Sequence, residues 1–138
     1  TRRKLLMNLQ TQGESLVAAI HPSAVVAPSA TIGPGAVLCA GVIVNPGATI
    51  GANVIVNTGA TVDHHNVIGD HAHIAPGVHL GGDVAIGEGT LIGIGAVVMP
   101  QRRVGAWCTV GAGAVVTRDL PDQVVAIGAP AHVIRSQG

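Results

Sequence analysis

An all-β solenoid of stacked, three-sided coils is the fold class that this sequence predicts, and three observations predict it. From Ile20 to Val116 every sixth residue is aliphatic, running Ile20, Val26, Ile32, Leu38 and onward to Val104, Val110 and Val116 without insertion or slip. Two places before most of these aliphatics stands a small residue, among them Ala36, Ala48, Ala60, Ala72, Ala96 and Ala114. The 138 residues hold no Tyr, no Phe and a single Trp, Trp107, so no ring fills the core. A large aliphatic paired with a small residue suits a narrow interior filled by Val, Ile, Leu and Ala, and fixed-period repeats of this kind bury their apolar faces by stacking.

Each element follows from the period. A six-residue unit is a short strand plus a turn. Three units close a coil of eighteen residues, and coils stack at roughly 4.8 Å. Residues 20–116 therefore make slightly more than five coils, a prism roughly 25 Å long. Glycine often follows the aliphatic, as at Gly33, Gly51, Gly69 and Gly87, where a positive φ or a close backbone approach excludes a side chain. Before the repeat, Arg3 to Gln12 fits a short helix with Leu5, Leu6 and Leu9 on one face and Gly13 as its stop. Ser15 to Ile20 reads as a strand entering the first coil. Arg2, Arg3 and Lys4 form a basic cluster, expected to be a solvated face. After Val116 the period stops at Asp119, Leu120 and Pro121, and residues 119–138 read as a cap over the open end. The division expected is 1–19 as a stub, 20–118 as the β-helix and 119–138 as the cap.

Composition excludes several classes. Hydrophobic residues make up 48% of the chain and charged residues 10%, and the mean hydropathy is +0.53, which argues against disorder. Gly, Pro and polar residues interrupt every long apolar run, so no membrane span is expected. Seven Lys and Arg balance seven Asp and Glu, leaving no basic field for nucleic acid. Cys39 and Cys108 are too few for a disulfide framework, and a reducing, cytoplasmic setting is expected. Both lie off the histidine cluster and are expected to be structural.

Five of the seven histidines fall between residues 64 and 79: His64, His65, His71, His73 and His79. None occupies the inward aliphatic place, so core burial does not explain them. The unit of His64 is itself irregular, because Asn66 takes the place of the small apolar residue. A polar group there costs energy unless it is satisfied, and such local violations mark functional sites.

Asn57, Thr58, Gly59, Ala60, Thr61, Val62, Asp63 and His64, then Val67, Ile68 and Gly69, then His73 resemble the PglD- and NeuD-type branch of the hexapeptide-repeat acyltransferases. The segment Ile20, His21, Pro22 and Ser23 resembles the junction at which that branch joins a small α/β acceptor-binding domain to its β-helix, which makes residues 1–19 a possible remnant of such a domain. Gly128 to Ile134 resembles the family's closing segment. The resemblance implies a left-handed parallel β-helix, a hand that periodicity does not supply because parallel crossovers are generally right-handed. It implies transfer of an acetyl group from acetyl-CoA to the amine of a nucleotide-linked amino sugar, with no acyl-enzyme and no metal. It implies His64 as catalytic base, Asp63 as its acidic neighbour, Asn57 near the acceptor and His73 near the thioester. A neutral imidazole accepts a proton at neutral pH, and negative charge developing on a carbonyl oxygen calls for a backbone N–H, a role the resemblance gives to Gly82. Coenzyme A is implied along the prism edge at Gly82, Ile94 and Ala112 and near Pro130. Arg102 and Arg103 interrupt the repeat and either reach the coenzyme's phosphates or bulge into solvent. His65 stands where the branch often has an acidic residue, which leaves open what orients His64. The resemblance further implies a homotrimer with its sites between subunits.

Three other readings stand beside this one. O-acetyl transfer to sialic acid or serine would use the same base. A non-catalytic β-helix scaffold would need no histidine cluster. A zinc enzyme like the γ-type carbonic anhydrases would need a ligand pair five residues apart, and the partner of His64 at that spacing would be Gly59.

Overall fold

A computed structural model describes residues 2–138. The six-residue period becomes a rung of two extended residues and a four-residue turn. Successive side chains of a strand point to opposite sides, so the first residue of each pair faces out and the second faces in. In Thr61–Val62 and Ile43–Val44 the second residue is buried. From Ala19–Ile20 to Val97–Val98 each strand pairs in parallel with the strand eighteen residues on: His73–Ile74 lies between Ile55–Val56 and Leu91–Ile92.

The coils form three faces, sheets of eight, six and five strands. The first face holds Ala19–Ile20, Ile55–Val56, His73–Ile74 and their register mates, the second holds Thr61–Val62 and His79–Leu80, and the third holds Val67–Ile68 and Ala85–Ile86. The hand is the left-handed one that the resemblance implies, and the solenoid has about six turns. That exceeds the slightly more than five expected, because the stack continues past Val116. Leu120 is buried and bridges Val104 on the third face. Val124–Ile127 then joins the first face beside Thr109–Val110. His132–Ser136 folds back antiparallel onto it and covers the end.

The interior is one column of aliphatics, with Leu38, Ile50, Ile68, Ile74 and Ile92 essentially inaccessible and Ala36, Ala60, Ala72 and Ala96 at the small places. Cys108 occupies one of those places, buried. The glycines divide between two roles that the sequence left together. Those directly after the aliphatic face the next coil: a Cβ on Gly33 would lie 2.6 Å from the carbonyl carbon of Gly51. Positive φ belongs two residues later, where Asn53, His65, His71 and Trp107 also adopt it.

Helix α1, Arg2–Thr11, ends in a Schellman arrangement in which the Gly13 N–H donates to Gln10 and the Glu14 N–H to Leu9. Only Leu6 is buried, and Leu5 is 59% exposed rather than turned inward with it. Nor is the basic cluster simply solvated. The Arg2 guanidinium donates to Asn53 at 3.5 Å, and Arg3 stacks over Trp107 at 5.3 Å. Both arginines seat the helix on the edge between the third and first faces. The strand expected over Ser15 to Ile20 is confined to Ala19–Ile20.

Candidate active site

His64 stands on the edge between the second and third faces, in the turn 63–66. Its backbone N–H donates to the Asp63 carboxylate at 2.7 Å, and the Asn45 amide donates to the same oxygen at 3.1 Å. Asp63 thus braces the turn and does not touch the imidazole. The ring partner is His65, whose Nδ1 lies 3.1 Å from Nδ1 of His64, with the rings edge to face at 77°. One of two facing nitrogens must carry the proton. His65 adopts φ 56° and lays its ring over Gly47, one coil below.

The His64 ring lies over Gly82, one coil above. A Cβ there would sit 2.6 Å from Cε1 and closer still to Nε2, so only glycine admits this ring position. The Gly82 N–H faces outward without a protein acceptor. The same place in other rungs is often proline, as at Pro46 and Pro76, or is capped, as where Ala52 donates to Asp70 and Ala106 to Asp122, each at 2.8 Å, although Ala40, Asp70 and Glu88 share an uncapped N–H with Gly82. Ile94 and Ala112, stacked on the edge between the first and second faces, also carry uncapped outward N–H groups, and Ile94 is 63% exposed.

Asn57 and His73 belong to that other edge. The Asn57 amide donates to Nε2 of His73 at 3.4 Å and its oxygen accepts from the Thr58 N–H at 2.8 Å. His73, half-buried on the first face, has its pKa lowered from the ordinary histidine value by burial and secondarily by the Arg2 charge. The structure therefore brings together His64, Asp63 and Gly82, and separately Asn57 and His73, with the second face between the two groups. His79 lies on that intervening face and meets Thr61 at 2.7 Å.

Pro130 sits at the end of the second face, where the Val115 N–H donates to Gly128 and the Ala131 N–H to Val115. Arg102, one coil above Gly82, is held by Asp119 at 3.9 Å and donates to the Pro100 carbonyl at 3.3 Å. Arg103 points outward on the third face, away from Ile94 and Ala112. Among the described residues no three His, Cys, Asp or Glu side chains gather as metal ligands, and no helix is long and apolar enough to cross a membrane. Asn45 and Arg2 entered the site region unannounced. For Asn45 the signal was present, since it stands eighteen residues before Asp63. For Arg2 there was none, because the helix lies outside the period.

Residues 83–118 match the bacterial transferase hexapeptide family model, described as six repeats. The acetyltransferase domain of PglB from Neisseria gonorrhoeae is 44% identical with a TM-score of 0.95, the match covering 96% of this chain and 65% of that one. PerB from Caulobacter crescentus, solved with CoA and GDP-perosamine, is 48% identical with a TM-score of 0.95 over 96% of this chain and 64% of that one. A galactoside O-acetyltransferase of Lactococcus lactis is 46% identical over 52 residues, 38% of this chain and 25% of that protein. The chain thus spans just under two thirds of those structures and about a quarter of that curated relative. Period, coil geometry and these likenesses agree: the chain carries bacterial transferase hexapeptide repeats and is similar in sequence and fold to acetyltransferases of the PglD- and NeuD-type branch.

Proposed function

We propose that the chain transfers the acetyl group of acetyl-CoA to the amine of a nucleotide-linked amino sugar, with His64 as general base. The observation that carries this reading is the seating of the His64 ring on the bare Cα of Gly82, beside an outward N–H that nothing else occupies. A base and a carbonyl-oxygen donor are thereby side by side. The likeness to PglB's acetyltransferase domain and to PerB supports the acceptor class.

The residues divide the work. His64 takes a proton from the attacking amine at Nε2, which requires its own proton on Nδ1. His65 accepts that Nδ1–H and so selects the tautomer. The Gly82 N–H donates to the thioester oxygen as negative charge develops there. As the carbon–sulfur bond breaks, His64 returns the proton to the departing thiolate, so the step balances without an acyl-enzyme. The uncapped N–H groups of Ile94 and Ala112 fit the amide oxygens of an extended pantetheine arm lying along their edge, with Pro130 at its far end.

His73 and Asn57 complete the site from a neighbouring copy in a homotrimer. The second face keeps them from His64 within one chain, and a threefold arrangement sets one chain's first edge against its neighbour's second. We place the enzyme in the cytoplasm, where both thiols, Cys39 and Cys108, stay reduced.

Thiol release from acetyl-CoA, measured across nucleotide-linked amino sugars, sialic acid and serine, tests the reading. Turnover is expected with an amino sugar and is expected to fall by about 10²–10⁴ in His64→Ala. Turnover with sialic acid or serine alone would replace the acceptor class, and an unaffected His64→Ala enzyme would remove the base.

A further inference from the structure

At most corners of the coil the turn closes on itself: the N–H at the small place donates to the carbonyl three residues earlier, as from Ala48 to Asn45, Ala60 to Asn57 and Ala72 to Gly69. On the edge that carries His64 this bond is absent from three consecutive coils, at 63–66, 81–84 and 99–102. In the first two a single side chain takes over both carbonyls. The Asn66 amide nitrogen donates to the Asp63 carbonyl at 2.9 Å and to the Gly81 carbonyl at 2.8 Å, with the His64 carbonyl at 3.4 Å. Asn66 is fully buried, in the place where the repeat puts alanine. Its Oδ1 has no partner. A buried amide with one unsatisfied end is costly, so its stability alone gives no reason to find it there.

The Gly81 carbonyl and the Gly82 N–H belong to one peptide group. That group is planar and trans, so the two dipoles point in opposite directions. Drawing the carbonyl into the prism turns the N–H out, toward the His64 ring. A donor on the carbonyl also polarises the N–H at the other end. The neighbouring edge, between the third and first faces, offers a contrast. There the Thr90 hydroxyl donates to the Gly105 carbonyl at 2.7 Å, but the N–H of that peptide, on Ala106, is closed by Asp122. At Gly81–Gly82 an interior side chain holds the carbonyl while the N–H stays open beside the His64 ring.

We infer that Asn66 is a positioning residue for acetyl transfer: it holds the turn that presents His64 and aims and polarises the Gly82 N–H at the thioester oxygen. The inference rests on the acetyl-transfer reading above, and its test separates the two. Asn66→Ala is the substitution the repeat itself uses, so the chain is expected to fold with an unfolding midpoint equal to or above the parent's. Its kcat is expected to fall about ten- to hundredfold, less than the ~10²–10³ for outright loss of an oxyanion donor because the N–H is misaimed and not removed, with KM for acetyl-CoA within about twofold because remote binding contacts are untouched. Asn66→Ser, which restores one interior hydroxyl donor in the manner of Thr90, is expected to recover part of kcat. A crystal structure of Asn66→Ala is expected to show the Gly81–Gly82 peptide rotated. Full activity in Asn66→Ala, an unmoved peptide, or a loss that tracks a lowered midpoint would each overturn the inference. A rotated peptide in a chain whose parent turns over no acceptor would instead uphold the positioning and remove the acetyl-transfer reading.

Discussion

A histidine can act as base at Nε2 only if its proton sits on Nδ1, and in this chain the group facing His64 Nδ1 is another imidazole, 3.1 Å away. His65 takes the place where the branch often carries an acid, and its left-handed φ of 56° fixes which replacements are informative. His65→Gly keeps that backbone and removes the acceptor. It is expected to lower kcat at least about tenfold, since a base in the wrong tautomer can lose up to ~10⁴. His65→Asp restores an acceptor, tolerates the left-handed backbone and is expected to recover most of the loss in steady-state assays. At His73 burial, and behind it the Arg2 charge, favours the neutral ring. Its folded pKa lies below its unfolded one, so between the two the unfolded chain binds more protons. The stabilising contribution is complete above the ordinary histidine pKa and is lost as pH falls through the folded value. Arg2→Gln removes the smaller cause. An NMR titration of the His73 ring is then expected to show its pKa rise part of the way, leaving the share due to burial.

The rung was legible in the sequence because its physics is local. An inward aliphatic every six residues and a small residue two places before it are enough to place strands and turns, and the corner positions of His64, His65 and His71 followed from counting. Contacts between coils were legible only by stepping eighteen residues, which pairs Asn45 with Asp63, Asn53 with His71 and Thr61 with His79. The ring-to-ring bond of His64 and His65, the helix seat and the extra turn past Val116 were not, because side-chain direction and the docking of non-repeating segments leave no periodic trace. The two glycine roles were equally merged in the sequence, and they predict different costs. Gly113 has φ 68° and open space around its missing side chain, so Gly113→Ala is expected to cost about 1–2 kcal/mol, the left-handed penalty alone. A Cβ at Gly69 would meet the Glu88 backbone N at 2.6 Å. Two coils would have to part, and Gly69→Ala is expected to cost about 3 kcal/mol or more, read as the difference in denaturant midpoints.

A solenoid whose coils touch only their neighbours keeps its faces as separate surfaces, and that separation decides how a site can form. His64 with Gly82 occupies one edge of the second face and His73 with Asn57 the other, so one chain cannot bring them onto one substrate. The second face and its borders also expose Val25 (62%), Ile43 (39%), Ile94 (63%) and Met99 (45%), a surface suited to a partner. If threefold contacts join the edges, each site takes its base from one chain and its second histidine from the next. His64→Ala and His73→Ala chains, each impaired alone, are then complementary. Unfolded together in equal amounts and reassembled, they form sites at random, and about a quarter of interfaces draw both intact histidines. Activity is expected to return to about a quarter of the parent's, and to vanish again when the two proteins are mixed without exchange of subunits. Recovery of nothing after verified exchange would place both histidines' work within one chain, against the spacing of the faces.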